Sequence, residues 1–175
     1  MPVRKTLYIL RHAKAEAGSA SQEDFDRGLN DQGVAACTVI GKYLADQAIK
    51  PELVLCSTAK RTRDTWELIK PASKIKAPEE FIDRLYLASA NEIAGQVARV
   101  PETFQRVMVI SHNPGLHQLC IALAKHGDSA LLDTLHLKFP TCAFAAIDLG
   151  EIAWRDIALA DGMLKAFVTP RLLKN

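Results

Sequence analysis

Two histidines and two arginines attract attention because each follows a short apolar run and ends it abruptly. Arg11-His12 closes Leu7-Tyr8-Ile9-Leu10. Ser57 through Arg61 follows Leu53-Val54-Leu55-Cys56, and Ser111-His112-Asn113 follows Val107-Met108-Val109-Ile110. Any one of these exits reads as a strand leaving the core. Three of them carrying guanidinium or imidazole groups describe a binding site for a compact anion, most naturally phosphate. Arginine offers forked donors matched to phosphate oxygens, and helix N-termini add backbone N–H groups. A neutral imidazole is also a nucleophile. Flanking arginine charge disfavours its protonation and keeps one histidine neutral near pH 7. A phosphoryl group can then pass to that histidine and on to water, with the arginines and the second histidine stabilising charge on the equatorial oxygens.

These residues converge only if the apolar runs are parallel strands of one sheet. Runs this short, β-rich and continuously apolar suit strands buried on both faces, and ligands bind beyond the carboxyl ends of such strands. Between the runs the period changes to three and four. Ala36, Cys37, Ile40, Leu44 and Ala48 predict a helix from Asp31 to before Pro51, and Thr62, Trp66 and Ile69 predict another from about Lys60. Phe81-Ile82 suggests a weaker strand. Ser89 with Glu92 has the spacing of a capping box, and a helix follows it. Pro114 opens a helix with Leu116, Leu119, Cys120 and Leu123 inward and Gly127 closing it as the C′ residue. Ser129–Leu135 is a short helical stretch. Cys142 to Val168 has β character, with two or three strands and a turn near Asp161-Gly162. The polar segment from Ala15 to about Asn30 has no period and reads as a loop. Strands alternating with helices predict a three-layer α/β/α fold with a mostly parallel central sheet.

Composition narrows the function. The chain has 175 residues, enough for one domain over 1–175. A formal net charge of +2 with no long basic block argues against nucleic acid, and no apolar stretch approaches a membrane span. Arg11 and His12 interrupt the first hydrophobic run, so no signal peptide is read. Cys37, Cys56, Cys120 and Cys142 are scattered among apolar residues with no Cys-x-x-Cys and no ligand spacing. They read as buried thiols in a reducing compartment, which makes the cytoplasm the expected location. No metal or cofactor is expected.

With these residues in place, the chain resembles the histidine phosphatase, or phosphoglycerate mutase-like, superfamily. That family opens with a strand ending in Arg-His-Gly, and Arg11-His12-Ala13 stands here. Ala13 in place of glycine, within RHAKA and ahead of DFDRGLNDQG, is similar to the SixA-type phosphohistidine phosphatase branch, as is the ending FVTPRLL. The motif Ser-x-x-x-Arg-Ala/Thr-x-x-Thr is met by Ser57, Arg61, Thr62 and Thr65. A strand followed by His-x-Pro-Gly is met by His112, Pro114 and Gly115. The resemblance implies that His12 is the nucleophile, that Arg11 and Arg61 clamp the phosphoryl oxygens, and that His112 is a second, protonated imidazole. Ser57 and Asn113 join Arg11, Arg61 and His112 as substrate-binding candidates. Arg61 rather than Arg63 fits the motif spacing.

Mutases and many phosphatases of the superfamily carry a glutamate general acid after the third strand. Here that region reads Leu85-Tyr86-Leu87, and Glu92 is read as a helix cap. A missing acid hinders alcohol leaving groups. A phosphorylated imidazole needs less help, because its second nitrogen can already carry a proton when it departs. The chain also lacks long insertions that would enclose a small-molecule pocket. The expected substrate is therefore a phosphohistidine-bearing protein of phosphotransfer or phosphorelay type, which would make the chain part of signal transduction. The alternatives are a small-molecule phosphatase or mutase of the same superfamily and a non-catalytic phosphohistidine-binding module. Cys56 lacks the spacing to an arginine that a cysteine phosphatase needs, and Asp24-Phe25-Asp26 lacks the strand that an aspartate-nucleophile phosphatase needs. Asp26 and Arg27 read as a loop ion pair, Trp66 and Trp154 as fillers, and Lys14 as solvated.

Overall fold

The computed structural model describes residues 3–174. Seven strands form one sheet: β1 (Val3–Arg11), β2 (Leu53–Ser57), β3 (Glu79–Ile82), β4 (Arg106–Ser111), β5 (Ala124–Gly127), β6 (Phe144–Ile152) and β7 (Gly162–Val168). Their order across the sheet is β3-β2-β4-β1-β6-β7-β5. β1 pairs in parallel with β4, and β4 with β2. Only β6 runs against its neighbours. The mostly parallel sheet expected from the alternating pattern is therefore present.

Six helices cover the sheet: α1 (Asp31–Asp46), α2 (Lys60–Ser73), α3 (Ala90–Val97), α4 (Gly115–Leu123), α5 (Ser129–Leu137) and α6 (Pro170–Leu173). The strand residues alternate between two cores. Leu7, Ile9, Leu55 and Val109 face Ile93, Leu116 and Leu119 on one side. Tyr8, Leu10, Cys56 and Ile110 face Cys37, Ile40, Leu44 and Trp66 on the other. This makes the three layers, and it explains why the strands are apolar at every position rather than at every second one.

Local sequence fixes several element ends. Asn30 caps α1 by accepting the Gly33 N–H, and Ser89 and Glu92 form the expected capping box on α3. Three expectations need correction. Ala48 lies beyond α1, exposed and with φ of 52°, because the helix ends two residues earlier. Gly127 does not cap α4. The helix stops at Leu123, and Ala124–Gly127 continue as edge strand β5 beside β7, with Gly127 at φ of 146°. Asp161-Gly162 makes no hairpin turn, since a 3₁₀ segment, Trp154–Leu159, separates β6 from β7.

Gly115, at the start of α4, packs against the Ala88 backbone so closely that a Cβ there would collide with the Ala88 carbonyl oxygen. Backbone cannot yield as a flexible side chain can. Gly115→Ala is therefore expected to destabilise the fold by roughly 1–3 kcal/mol, read as a lower midpoint in urea unfolding. An unchanged midpoint would show that the helix shifts freely.

Candidate active site

β2, β4 and β1 are neighbours in the sheet, and their register aligns their ends. Arg11 pairs with Ser111, and Cys56 with Ile110. The next residues, His12, Ser57 and His112, therefore emerge together. The two imidazole rings lie 5.2 Å apart, centroid to centroid. His12 and His112 are 8% and 1% exposed, and Arg61 is 3% exposed, so charge and imidazole are gathered out of water. Arg63 is exposed on α2, turned away from this cluster.

The threonines of the second motif hold this arrangement. Thr65 Oγ1 donates to the Arg61 carbonyl (2.6 Å) and accepts the Ala13 N–H (2.9 Å), which ties the segment after β1 to α2. Thr62 Oγ1 donates to the Ser57 carbonyl at 2.8 Å. Ser111 Oγ reaches the Leu85 carbonyl at 2.8 Å and draws the 83–88 segment over the site.

Hydrogen bonding assigns the tautomer of His12. His12 Nδ1 lies 2.8 Å from the Ala13 carbonyl oxygen, which can only accept. Nδ1 thus carries the hydrogen, and Nε2 of the neutral ring keeps its lone pair. His112 Nε2 is 2.7 Å from Ser57 Oγ, which also accepts the Ala59 N–H at 3.4 Å. Either atom can supply the hydrogen of this contact, and Nδ1 of His112 is buried without a partner.

Burial dominates the charge state of both rings. It lowers His12 to about 4, with Arg11, Arg61 and Arg27 adding to the effect and the Ala13 hydrogen bond opposing it. It lowers His112 to about 3, reinforced by His12 and Arg61. His112 is therefore neutral near pH 7 in the free protein, not protonated as the resemblance implied. Desolvation leads in both cases, and the arginine charge expected to keep a histidine neutral is secondary.

Several buried polar atoms of the cluster have no partner: Arg11 Nε, Arg61 Nε, His112 Nδ1 and Asn113 Oδ1. Arg11 and Asn113 each donate to the Phe139 carbonyl, at 3.0 and 2.9 Å. Ser57 is fully buried behind His112, and its hydroxyl faces the imidazole. Ser57 thus holds His112, and Asn113 shares the Phe139 carbonyl with Arg11, while Arg11 Nε, Arg61 Nε and His112 Nδ1 stay without partners.

Asp24 and Tyr86 have roles here that the sequence pattern did not reveal. Arg61 donates to the Asp24 carbonyl (2.9 Å) and carboxylate (3.1 Å). Arg27 donates to the same carboxylate at 3.0 and 2.7 Å, and the Tyr86 hydroxyl donates to it as well. The ion pair of Arg27 is with Asp24, not Asp26. These donors, Tyr86 first, hold the Asp24 carboxyl well below the usual carboxylate range. Tyr86 also meets the His112 ring edge-on at 5.5 Å, with the Arg61 guanidinium 5.7 Å from its ring centre.

Other candidates lie elsewhere. Cys56 is buried, and desolvation pushes its thiol up, as expected of a core residue. His117 Nε2 donates to the Leu135 carbonyl at 2.6 Å. His126 sits on β5, paired with Asp161, rather than at a helix end. Among the described residues no group of three or more His, Cys, Asp or Glu side chains is placed to hold a metal ion, and no helix is long and apolar enough to cross a membrane.

Comparison with known proteins agrees with this geometry. The family model of the histidine phosphatase superfamily (branch 1) matches residues 7–104. A solved structure of a candidate phosphohistidine phosphatase SixA from Nakamurella multipartitia is 33% identical, with a TM-score of 0.82, over 97% of this chain and 99% of that one. A second, from Agrobacterium tumefaciens, is 30% identical with a TM-score of 0.79 over 96% and 99%. An uncharacterised protein of Mycobacterium tuberculosis is 30% identical over 164 residues, 93% of this chain and all of that protein. The chain belongs to the histidine phosphatase superfamily, branch 1, and within it is similar to the SixA-type proteins.

Proposed function

We propose that this protein removes phosphate from phosphohistidine on another protein, through a phosphorylated His12. The observation that supports this reading is a neutral imidazole nitrogen, His12 Nε2, in a buried cluster where nitrogens of Arg11, Arg61 and His112 lack partners. A phosphoryl group on His12 would draw on these groups. In the first step the His12 Nε2 lone pair forms a bond to phosphorus while the substrate P–N bond breaks. The substrate imidazole leaves neutral when its other nitrogen already carries a proton. The Ala13 carbonyl holds the Nδ1–H as His12 gains positive character. In the second step water bonds to phosphorus, His12 leaves as the neutral ring, and both water protons depart with the phosphate. Arg11 and Arg61 stabilise the equatorial oxygens, and His112 donates from Nδ1. Ser57 and Asn113 act as positioning residues.

The leaving group favours phosphohistidine over an ester. Four donors hold the Asp24 carboxylate ionised, and an ionised carboxylate cannot protonate an alkoxide. Glu92 is engaged in its capping box. The steps above use the chain's own groups and water. Four buried free thiols suit a reducing compartment, so we place the protein in the cytoplasm.

A direct test compares hydrolysis of a phosphohistidine-bearing protein with that of a panel of phosphate esters. Fast release from phosphohistidine, abolished in His12→Ala, is expected. Faster turnover of an ester would favour a small-molecule phosphatase, and binding without turnover would favour a regulatory module. Arg61→Ala should lower kcat by roughly 10²–10³, as for other single electrostatic stabilisers. Near-normal turnover in this variant contradicts the clamp.

The histidine charge states predict a pH response. The folded rings release their protons near pH 4 and 3, whereas an unfolded histidine does so near about 6.5. The unfolded chain therefore binds more protons between these values. Stability from this source is complete above about 6.5 and is lost as pH falls toward 4. NMR titration of the ring resonances should show both imidazoles neutral at pH 6, with the His12 proton on Nδ1. A titration midpoint near 6.5 for His12 would contradict its desolvated placement.

A further inference from the structure

A groove of about 1230 Å³ borders two segments that flank the site. It begins at Lys14, two residues after His12, and at Pro140-Thr141, just before Cys142, whose N–H bonds to the His12 carbonyl at 2.9 Å. Apolar groups, including Ala36 and Phe167, line its interior. Lys14, Lys138, Arg171 and Lys174 line it as well, against one carboxylate, Asp31. Asp31 sits in the first turn of α1, where its charge complements the helix dipole. Lys14 donates to Gln32 at 2.7 Å. None of the four cations forms an ion pair among the described residues, whereas Arg4, Lys60, Lys70 and Arg106 each face a carboxylate. The groove thus gathers uncompensated positive charge among apolar residues, with Lys14 two residues along the chain from the nucleophile. Its volume exceeds that of most small-ligand pockets, roughly 300–1,000 Å³.

We propose that this groove seats an acidic, partly apolar segment of the phosphohistidine-bearing protein and so delivers its phosphorylated side chain to His12. The inference rests on the reading given under Proposed function. Complementary charge would steer the encounter and set the register, while the apolar interior would give the segment a surface to bury. A protein segment suits an apolar interior better than a nucleic acid does.

The test uses the full chain with two probes, an acidic phosphotransfer protein phosphorylated on histidine and free N-phosphohistidine. Wild type is compared with the triple variant Lys138→Glu, Arg171→Glu and Lys174→Glu. The expected result is a kcat/KM on the phosphoprotein at least ~10-fold lower at low salt, carried mainly by KM. The rate on free phosphohistidine should be unchanged, which also reports an intact fold. Added salt should slow the wild type on the phosphoprotein and have little effect on the variant. Equal rates for wild type and variant on the phosphoprotein would overturn the groove while leaving the phosphohistidine reading intact. Equal losses on both probes would also overturn it, because the charges would then act on any anion. Tight binding of a single-stranded oligonucleotide, lost in the variant while phosphoprotein turnover is kept, would overturn it in favour of nucleic acid. A wild type inactive on both probes would overturn the phosphohistidine reading and this inference together.

Discussion

The site depends on burying positive charge beside neutral imidazole. Water is largely removed from His12, His112 and Arg61, and this desolvation holds both histidines neutral. An unpartnered buried polar group costs about 1–3 kcal/mol, and Arg11, Arg61 and His112 each hold one. The free protein therefore carries a standing cost that a compact anion would remove. The Asp24 carboxylate already offsets part of it at the outer side of Arg61. The same desolvation leaves His12 Nε2 unprotonated, so anion binding and nucleophilicity share one physical cause.

The fold supplies the alignment that this requires. Adjacent parallel strands end at the same level, and one residue beyond each end the chain turns into loop or helix. A shift of register by one residue would turn His112 to the other face of the sheet. Thr62, Thr65 and Ser111 secure the exits by hydrogen bonds to backbone carbonyls. Cores on both faces hold the strands from which the imidazoles emerge.

What could be read from sequence followed from period and adjacency. Apolar runs marked the strands, their polar exits marked the site, and the Ser57–Thr65 spacing separated Arg61 from Arg63. Contacts made across long stretches of chain escaped this reading. Asp24 meets Tyr86 across 62 positions, and Arg11 meets the Phe139 carbonyl across 128. Neither contact leaves a periodic trace, and a carbonyl acceptor carries no sequence signal. Arg27 gave no local sign of choosing Asp24 over Asp26. β5 was hidden because its four residues follow α4 without a break and pair with a strand far along the chain. The His112 charge was misjudged because burial, which decides it, belongs to the folded state.

The most direct measurement is rapid-quench trapping in alkali. Stoichiometric enzyme is mixed with protein labelled on phosphohistidine, and the enzyme is then mapped by peptide. The account predicts transient label on the peptide containing His12, formed before free phosphate appears and absent in His12→Ala. Phosphate released without label on the enzyme, or label on another residue, would contradict it.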